Sequence, residues 1–510
     1  MRKLFPVAGL LLAACESPMP RVEVPLPGLM PPPLPVEGAL NRVEAHSGLH
    51  AVIATDPTAL DQERLFRASG KPYTEVAGEP VLIKDNVEVA GMPTTAGSLA
   101  LANNITNRDA PLVARLRAAG AIILGKTNLS EWANIRSNKS ISGWSAVGGQ
   151  TRNPWALDRN PCGSSSGSGA AVAAGIVDLA IGTETDGSIT CPAAMNGIVG
   201  LKPTVGLVSR THIVPISHSQ DTAGPMTSTV TKAAALLSVI AGSDPADPAT
   251  AEADAHKMNY EASLDANSVR GKRIGVMRFA SGFGTDTAFE TALAILRERG
   301  AILVDIKKFD DSAIGKNELP VLLTELKADM GTYLRGSPAP IPVRSLADVI
   351  AFDSAHQRGE MALFGQETFE QAEKTKGLDD PAYKKARHDS FMAAGPNGID
   401  KLLKDNNVVA LVGPTMPPAW KIDAVNGDQS SGGGAGSLAA VAGYPHLTVP
   451  MGLVKGLPVG LSFIGPKWSE ALLLSLGYAY EQARGPFPTP KFYRSIEESP
   501  DIAPLLEPHH

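Results

Sequence analysis

The sequence predicts a single large α/β domain, and three observations carry that prediction. From about Asn41 onward, strand-like and helix-like stretches alternate along the chain, the pattern of layered α/β proteins. No internal repeat divides this alternation, and no second linker comparable to the first interrupts it. With 510 residues, 43% of them hydrophobic and 19% charged, the chain is long enough for a sizeable core and ordinary for a soluble enzyme.

The elements follow in chain order. Arg2 and Lys3 precede an apolar run from Leu4 to Ala14, broken by Pro6 and Gly9. That run is too short to cross a bilayer as a helix but suits the core of a secretory signal. It ends in Leu12-Ala13-Ala14-Cys15, which looks like a bacterial lipobox. Small residues there admit the signal peptidase, and the Cys15 thiol is the group that receives lipid. Residues 1–14 are therefore expected to be a lipoprotein signal peptide, with Cys15 as the lipid attachment site. Residues 15–40 are expected to form a Pro-rich tether, with proline at 18, 20, 25, 27, 31, 32, 33 and 35. Acyl chains plus tether would hold a domain spanning 41–497 beside a membrane of the bacterial cell envelope, leaving 498–510 as a tail.

Within the domain, Val81-Leu82-Ile83 is a short apolar strand running into Lys84-Asp85-Asn86. Ala110 to Ala119 has helical spacing, with Leu112, Val113 and Leu116 on one face and Gly120 closing it. Ala121 to Leu124 reads as a buried strand, Ser168 to Ala174 as a small-residue helix, and Val177 to Ile181 as another strand. Further strands are expected at Arg273 to Met277, Ala301 to Ile306 and Val408 to Val412. A hairpin-like pair is expected at Thr448-Val449-Pro450 and Val459 to Ile464. Gly432 to Gly436 is a flexible loop of the kind that often borders a site.

Composition narrows the function. The net charge is -6, from 46 Lys+Arg against 52 Asp+Glu, and no basic block stands out, so nucleic acid is not an expected partner. No H-E-x-x-H motif occurs among the ten histidines, which leaves zinc catalysis without support. Three cysteines, at 15, 162 and 191, are too few for a disulfide framework and suggest separate roles. Neither Cys162 nor Cys191 has a histidine or an electropositive setting nearby in sequence, so both are expected to be unreactive small core residues.

Three stretches carry chemistry. Gly163-Ser164-Ser165-Ser166-Gly167-Ser168-Gly169 is a loop of small hydroxyl residues and glycines, which lets backbone approach a ligand closely. Gly182-Thr183-Glu184-Thr185-Asp186-Gly187-Ser188 follows a strand, and successive N–H groups in such a turn can converge into an oxyanion hole beside the serine. The third is Lys84, at the end of an apolar strand. Two other motifs compete. Gly120 to Thr127 matches the P-loop pattern, but a helix precedes it and its middle four residues are an apolar strand, so Lys126 is expected to be structural or to support the site. Gly163-Ser164-Ser165-Ser166-Gly167 also fits a nucleophile elbow with Ser165 at its centre. That elbow should follow a strand directly, whereas Arg159-Asn160-Pro161-Cys162 comes first, and His212, His218, His356, His388 and His446 have no distinguishing context.

Lys84 in its Leu82-Ile83-Lys84-Asp85-Asn86 setting, the serine–glycine loop and the Ser188 turn resemble the three landmarks of the amidase signature family. The 24-residue step from Ser164 to Ser188 fits as well. Lys126-Thr127-Asn128, Gly200-Leu201-Lys202-Pro203-Thr204, Asp221 to Pro225 and Gly443-Tyr444-Pro445 resemble further blocks, so the likeness covers about 41 to 490. Within the family the chain is most like the bacterial peptide amidases, including at Gly182 to Ser188 and Ser345 to Asp348.

The resemblance implies a mixed β-sheet sandwiched between helices and a serine amidohydrolase that needs no metal or organic cofactor. It implies that Ser188 attacks the amide carbonyl while Lys84, buried and neutral, acts as base. Ser164, on a cis peptide bond, would relay the proton, and backbone N–H groups of Thr185, Asp186, Gly187 and Ser188 would hold the oxyanion. The expected reaction is hydrolysis of the C-terminal amide of peptides to acid and ammonia, by a monomer held to the membrane through Cys15. A broad-specificity small-molecule amidase is the alternative, and an inactive binding lipoprotein the reading from a different class. A glutamine-hydrolysing component of a tRNA amidotransferase fits less well, since such components work in the cytosol with partners. Asp186-Gly187 stands where many members carry two glycines, Thr190 where many carry arginine, and Cys162 where glycine is common.

Overall fold

The apolar runs that read as strands are continuous, with no polar alternation, because helices cover both faces of the sheet they build. The computed structural model describes residues 36–434 and 436–508. In chain order the strands are β1 (Val52–Thr55), β2 (Pro80–Lys84), β3 (Ile122–Thr127), β4 (Trp144–Ser145), β5 (Gly149–Gln150) and β6 (Leu179–Glu184). They continue with β7 (Val199–Lys202), β8 (Thr222–Thr227), β9 (Arg273–Met277), β10 (Ile302–Ile306), β11 (Ala410–Pro414), β12 (His446–Val454) and β13 (Leu457–Ile464). β4 and β5 form a separate ribbon. The others make one 11-stranded sheet in the order β1-β3-β2-β6-β8-β7-β12-β13-β11-β9-β10. Its pairs β2–β3, β2–β6, β9–β11 and β9–β10 are parallel and the remainder antiparallel, so the sheet is mixed.

Side chains on a strand alternate between faces, and here both faces are dry. Val81 and Ile83 of β2 join Ile123, Leu179 and Ile181 in one core, under the helices Pro111–Ala119, Val230–Ile240 and Glu470–Arg484. Leu82, Ile122, Leu124 and Ala180 point the other way, against the small-residue helix Ser166–Ala173. Each fully buried Leu, Ile or Val of this kind contributes about 1.5–3 kcal/mol. The helix Pro111–Ala119 starts with proline at its first position and stops at Gly120, whose φ of 91° accepts the left-handed closure. A separate helical layer, Ser312–Gly336, Leu346–Ala355 and Glu367–Glu373, packs around Trp132 with Leu326, Met330, Leu346 and Phe369.

Two boundaries differ from the sequence reading. The tether does not reach residue 40: a helix spans Val36–Ala45 and buries Val36 and Ala39. The C-terminal tail carries a short helical turn, Ala503–Leu506. Residues 1–35, and with them the signal segment, Cys15 and most of the tether, lie outside the described residues. The expected strand pair near the C-terminus is a longer hairpin than the sequence indicates, and Gly436 begins the helix Gly436–Ala442.

Candidate active site

Lys84 closes β2 and is wholly buried. Its Nζ donates to Ser164 Oγ at 2.8 Å, to Thr183 Oγ1 at 2.8 Å and to the Thr183 carbonyl at 3.2 Å. Burial lowers the pKa of this amine from its ordinary 10.5 to about 7, against the opposing pull of the Asp221 and Glu184 carboxyls. Asn86 Nδ2 also donates to Thr183 Oγ1, so the threonine hydroxyl anchors both residues of the Lys84 segment.

The serine–glycine loop is small because there is no room for anything larger. A Cβ on Gly163 would come within 2.0 Å of Ser130 Oγ, and one on Gly167 within 2.3 Å of the Ala51 carbonyl. The Gly163–Ser164 peptide bond is cis. The loop's other hydroxyls serve the fold. Ser165 Oγ donates to the Thr183 carbonyl and accepts from its N–H, Ser166 Oγ donates to the Cys162 carbonyl, and Ser168 Oγ donates to the Ile181 carbonyl. Lys84 therefore meets Ser164 and not its neighbours, and among the described residues Ser165 has no histidine partner of the kind an elbow nucleophile needs.

The turn after β6 carries Thr185, Asp186, Gly187 and Ser188. Gly187 has φ 77°, a left-handed conformation that favours glycine, and a Cβ there would meet nothing within 4 Å. The buried Glu184 carboxylate accepts from the N–H groups of Ile189 and Thr190 and from Thr190 Oγ1. Among the described residues the N–H groups of 185 to 188 donate to no protein acceptor, which leaves them free to bind an anion. Thr185 Oγ1 donates to Asp221 Oδ1 at 2.6 Å. Burial raises the Asp221 carboxyl to about 6, and hydrogen bonds from Thr185 and from the N–H groups of Ser217 and Ile216 oppose that rise. The serine loop and this turn lie side by side, with the Ser165 N–H donating to the Ser188 carbonyl at 3.1 Å. Ser188 is 8% exposed, and among the described residues its hydroxyl makes no hydrogen bond to Ser164.

One expectation is corrected. Cys162 and Cys191 are not separate core residues but a disulfide, with Cα atoms 6.0 Å apart. The loop and the turn bring the two thiols together although 29 residues separate them in sequence, which spacing alone could not reveal. The bond sits in a small apolar cluster with Met195 and Ala419. Lys126 is buried in β3, where it pairs with Asp85 at 2.8 Å and donates to the Pro93 carbonyl. The sequence reading missed Thr183, although it stands inside the Gly182 to Ser188 stretch.

Comparison with known proteins agrees with this architecture. The family described as Amidase matches residues 36–474. The chain is 39% identical over 460 residues to a probable amidase of Arabidopsis thaliana, covering 87% of this chain and 85% of that protein. It is 34% identical over 495 residues to a putative amidase of Arthroderma benhamiae, covering 91% and 80%. The structure of native peptide amidase from Stenotrophomonas maltophilia superposes with a TM-score of 0.84 at 50% identity, covering 90% of this chain and 94% of that one. A single large domain on a mixed 11-stranded sheet, matched to the family along most of its length, leads to one conclusion: the chain belongs to the amidase signature family and is an amidase.

Proposed function

We propose that the protein hydrolyses the C-terminal carboxamide of peptides, with Ser188 as nucleophile, Lys84 as base and Ser164 as the relay between them. The observation that carries this reading is the Lys84 amine, wholly buried, lowered to about 7 and 2.8 Å from Ser164 Oγ. A neutral amine has two N–H groups and one lone pair. The two N–H groups suit Thr183 Oγ1 and the Thr183 carbonyl, leaving the lone pair to take the Ser164 proton. As Ser188 Oγ attacks, its proton passes to Ser164 and the Ser164 proton to Lys84. The carbonyl oxygen becomes an oxyanion, held by the unpaired N–H groups of Thr185, Asp186, Gly187 and Ser188. The relayed proton returns to the leaving nitrogen, ammonia departs, and water attacks the acyl-Ser188 ester by the same route in reverse.

The peptide-amide substrate is supported by 50% identity to a peptide amidase over 90% of the chain. The test is ammonia release from a short peptide amide, beside an unblocked peptide and a simple aliphatic amide, with Ser188→Ala run alongside. Release from the peptide amide alone, abolished by the substitution, supports the full reading. Equal turnover of the aliphatic amide would make the protein a general amidase. No turnover of any would favour an inactive binding protein.

For the address, we infer a lipid-anchored protein of the bacterial cell envelope. The lipobox-like Leu12-Ala13-Ala14-Cys15 and the prolines after it support this reading. So does the Cys162–Cys191 disulfide, since such bonds persist in oxidising compartments and are rare in the cytosol.

A further inference from the structure

Thr185 opens the turn that carries Ser188, and two adjacent residues of the chain hold it at two different atoms. Its Oγ1 donates to Asp221 Oδ1 at 2.6 Å, and its backbone carbonyl accepts from Gln220 Nε2 at 3.3 Å. The holders are themselves fixed. Asp221 Oδ2 accepts from the N–H groups of Ile216 and Ser217, and the N–H groups of Gln220 and Asp221 both donate to the Ser217 carbonyl. Gln220 Nε2 also donates to Glu318 Oε1 at 3.0 Å, on the helix Ser312–Gly336. The Thr185 carbonyl can only accept, so it must face the nitrogen of the Gln220 amide and not its oxygen. Gln220 is 2% exposed, which shields these bonds from bulk water.

The carbonyl that Gln220 grips belongs to the same peptide unit as the N–H of Asp186. Gly163–Ser164 is the one cis bond among the described residues, so the Thr185–Asp186 peptide is trans. A trans peptide is planar, and its C=O and N–H point in opposite directions. Anchoring the Thr185 oxygen on Gln220 therefore sets the direction of the Asp186 N–H. It also polarises that N–H, because successive hydrogen bonds through one peptide strengthen each other in a dry interior. Among the described residues the Asp186 N–H donates to no protein acceptor, so it is available to an incoming oxygen. A donor already aimed when charge develops is what makes an oxyanion hole effective.

We propose that Gln220 is a positioning residue of the oxyanion hole: through the Thr185 carbonyl it aims and polarises the Asp186 N–H. This rests on the amidase reading above and on its placing the hole at residues 185–188. The effect falls on the transition state, where the carbonyl oxygen carries charge, and little on the neutral bound amide.

The test uses Gln220→Met, which keeps an unbranched side chain of similar length and removes the donor. On the amide that the protein turns over best, kcat should fall about tenfold with KM little changed, the scale of one lost hydrogen bond. A second readout separates positioning from general damage: inhibition by N-acetyl-leucyl-leucinal and by the matching alcohol, N-acetyl-leucyl-leucinol. Ser188 Oγ adds to the aldehyde carbon, the serine proton leaves through the relay, and the carbonyl oxygen becomes a hemiacetal oxyanion. The alcohol cannot add and places no charge in the hole. The unmodified protein should prefer the aldehyde, and Gln220→Met should shrink that preference about tenfold. Both constants come from the same variant, so loss of folded protein cancels in their ratio. An unchanged ratio in Gln220→Met, or no preference for the aldehyde in the unmodified protein, overturns the proposal. If only simple aliphatic amides are turned over, the peptide-amide reading falls, and an unchanged kcat on those amides overturns the role of Gln220. No ammonia from any amide removes the amidase reading and this proposal with it.

Discussion

Cys162 and Cys191 form a disulfide that ties together the two segments bearing Ser164 and Ser188. Cys162 stands two residues before Ser164, and Cys191 three residues after Ser188. The Cys191 N–H also donates to the Gly187 carbonyl at 2.8 Å, so the bond reaches the Ser188 turn through one hydrogen bond as well as through the chain. Closing a loop of this length restricts the unfolded chain by about 3–4 kcal/mol. Reduction, or Cys162→Ala with Cys191→Ala, should lower the denaturant midpoint and reduce kcat more than it changes KM. An unaltered midpoint and kcat in the reduced protein would show that the bond braces nothing.

Lys84 sets the pH profile. Its folded pKa is depressed to about 7, and only the neutral amine can accept the Ser164 proton. Activity should therefore be lost as pH falls through about 7 and approach a plateau above it, with kcat/KM against pH as the measurement. Lys84→Ala should cost about 10²–10⁴-fold in kcat, the usual scale of a general base. A flat profile between pH 5 and pH 9 would rule out a lysine base.

Ser164 and Ser165 are neighbours with different partners, so substitution separates them. Ser164→Ala breaks the contact of Lys84 Nζ with Ser164 Oγ and should cost several orders of magnitude in kcat. Ser165→Ala removes two bonds to the Thr183 backbone and should cost mainly stability, about 1–3 kcal/mol. Reversal of these two effects in paired activity and unfolding assays would shift the relay by one residue.

Thr183 Oγ1 accepts from both Lys84 and Asn86. Thr183→Val keeps the shape and removes the acceptor, leaving two buried donors short of a partner at about 1–3 kcal/mol. We expect kcat to fall about tenfold to a hundredfold by the same energy, with KM little changed. Unchanged kcat would mean that Lys84 holds its place without the threonine.

Cys15 is the proposed lipid site. In a bacterial host, the full chain should incorporate labelled palmitate and sediment with membranes, and Cys15→Ala should abolish both. An unlabelled, freely soluble full-length chain would refute the anchor.

Much of the site was legible in the sequence because it is written in short, contiguous patterns. Val81-Leu82-Ile83 announced a strand, and β2 spans Pro80–Lys84. Ala110 to Ala119 read as a helix, observed at Pro111–Ala119 with Leu112, Val113 and Leu116 buried as expected. Strand edges moved where the signal was weak: Val177 to Ile181 became Leu179–Glu184, because Asp178 interrupts the apolar run at one end and Gly182-Thr183-Glu184 hides its continuation at the other. β7 and β8 went unread because glycine, proline and lysine within them mask the apolar pattern.

The sequence alone determined the α/β class, the family and the identity of Lys84, Ser164 and Ser188 as candidates, since residue type, periodicity and spacing belong to the chain. Tertiary structure decided which groups meet. Lys84 contacts Ser164 across 80 residues, Cys162 finds Cys191, and Gln220 links Glu318 to the Thr185 carbonyl from another layer of the fold. It also decided what those groups are chemically. A lysine in water holds its proton to about 10.4, and only the dry interior at the end of β2 lowers Lys84 to about 7. Burial and proximity are properties of space, and no local pattern along the chain encodes them.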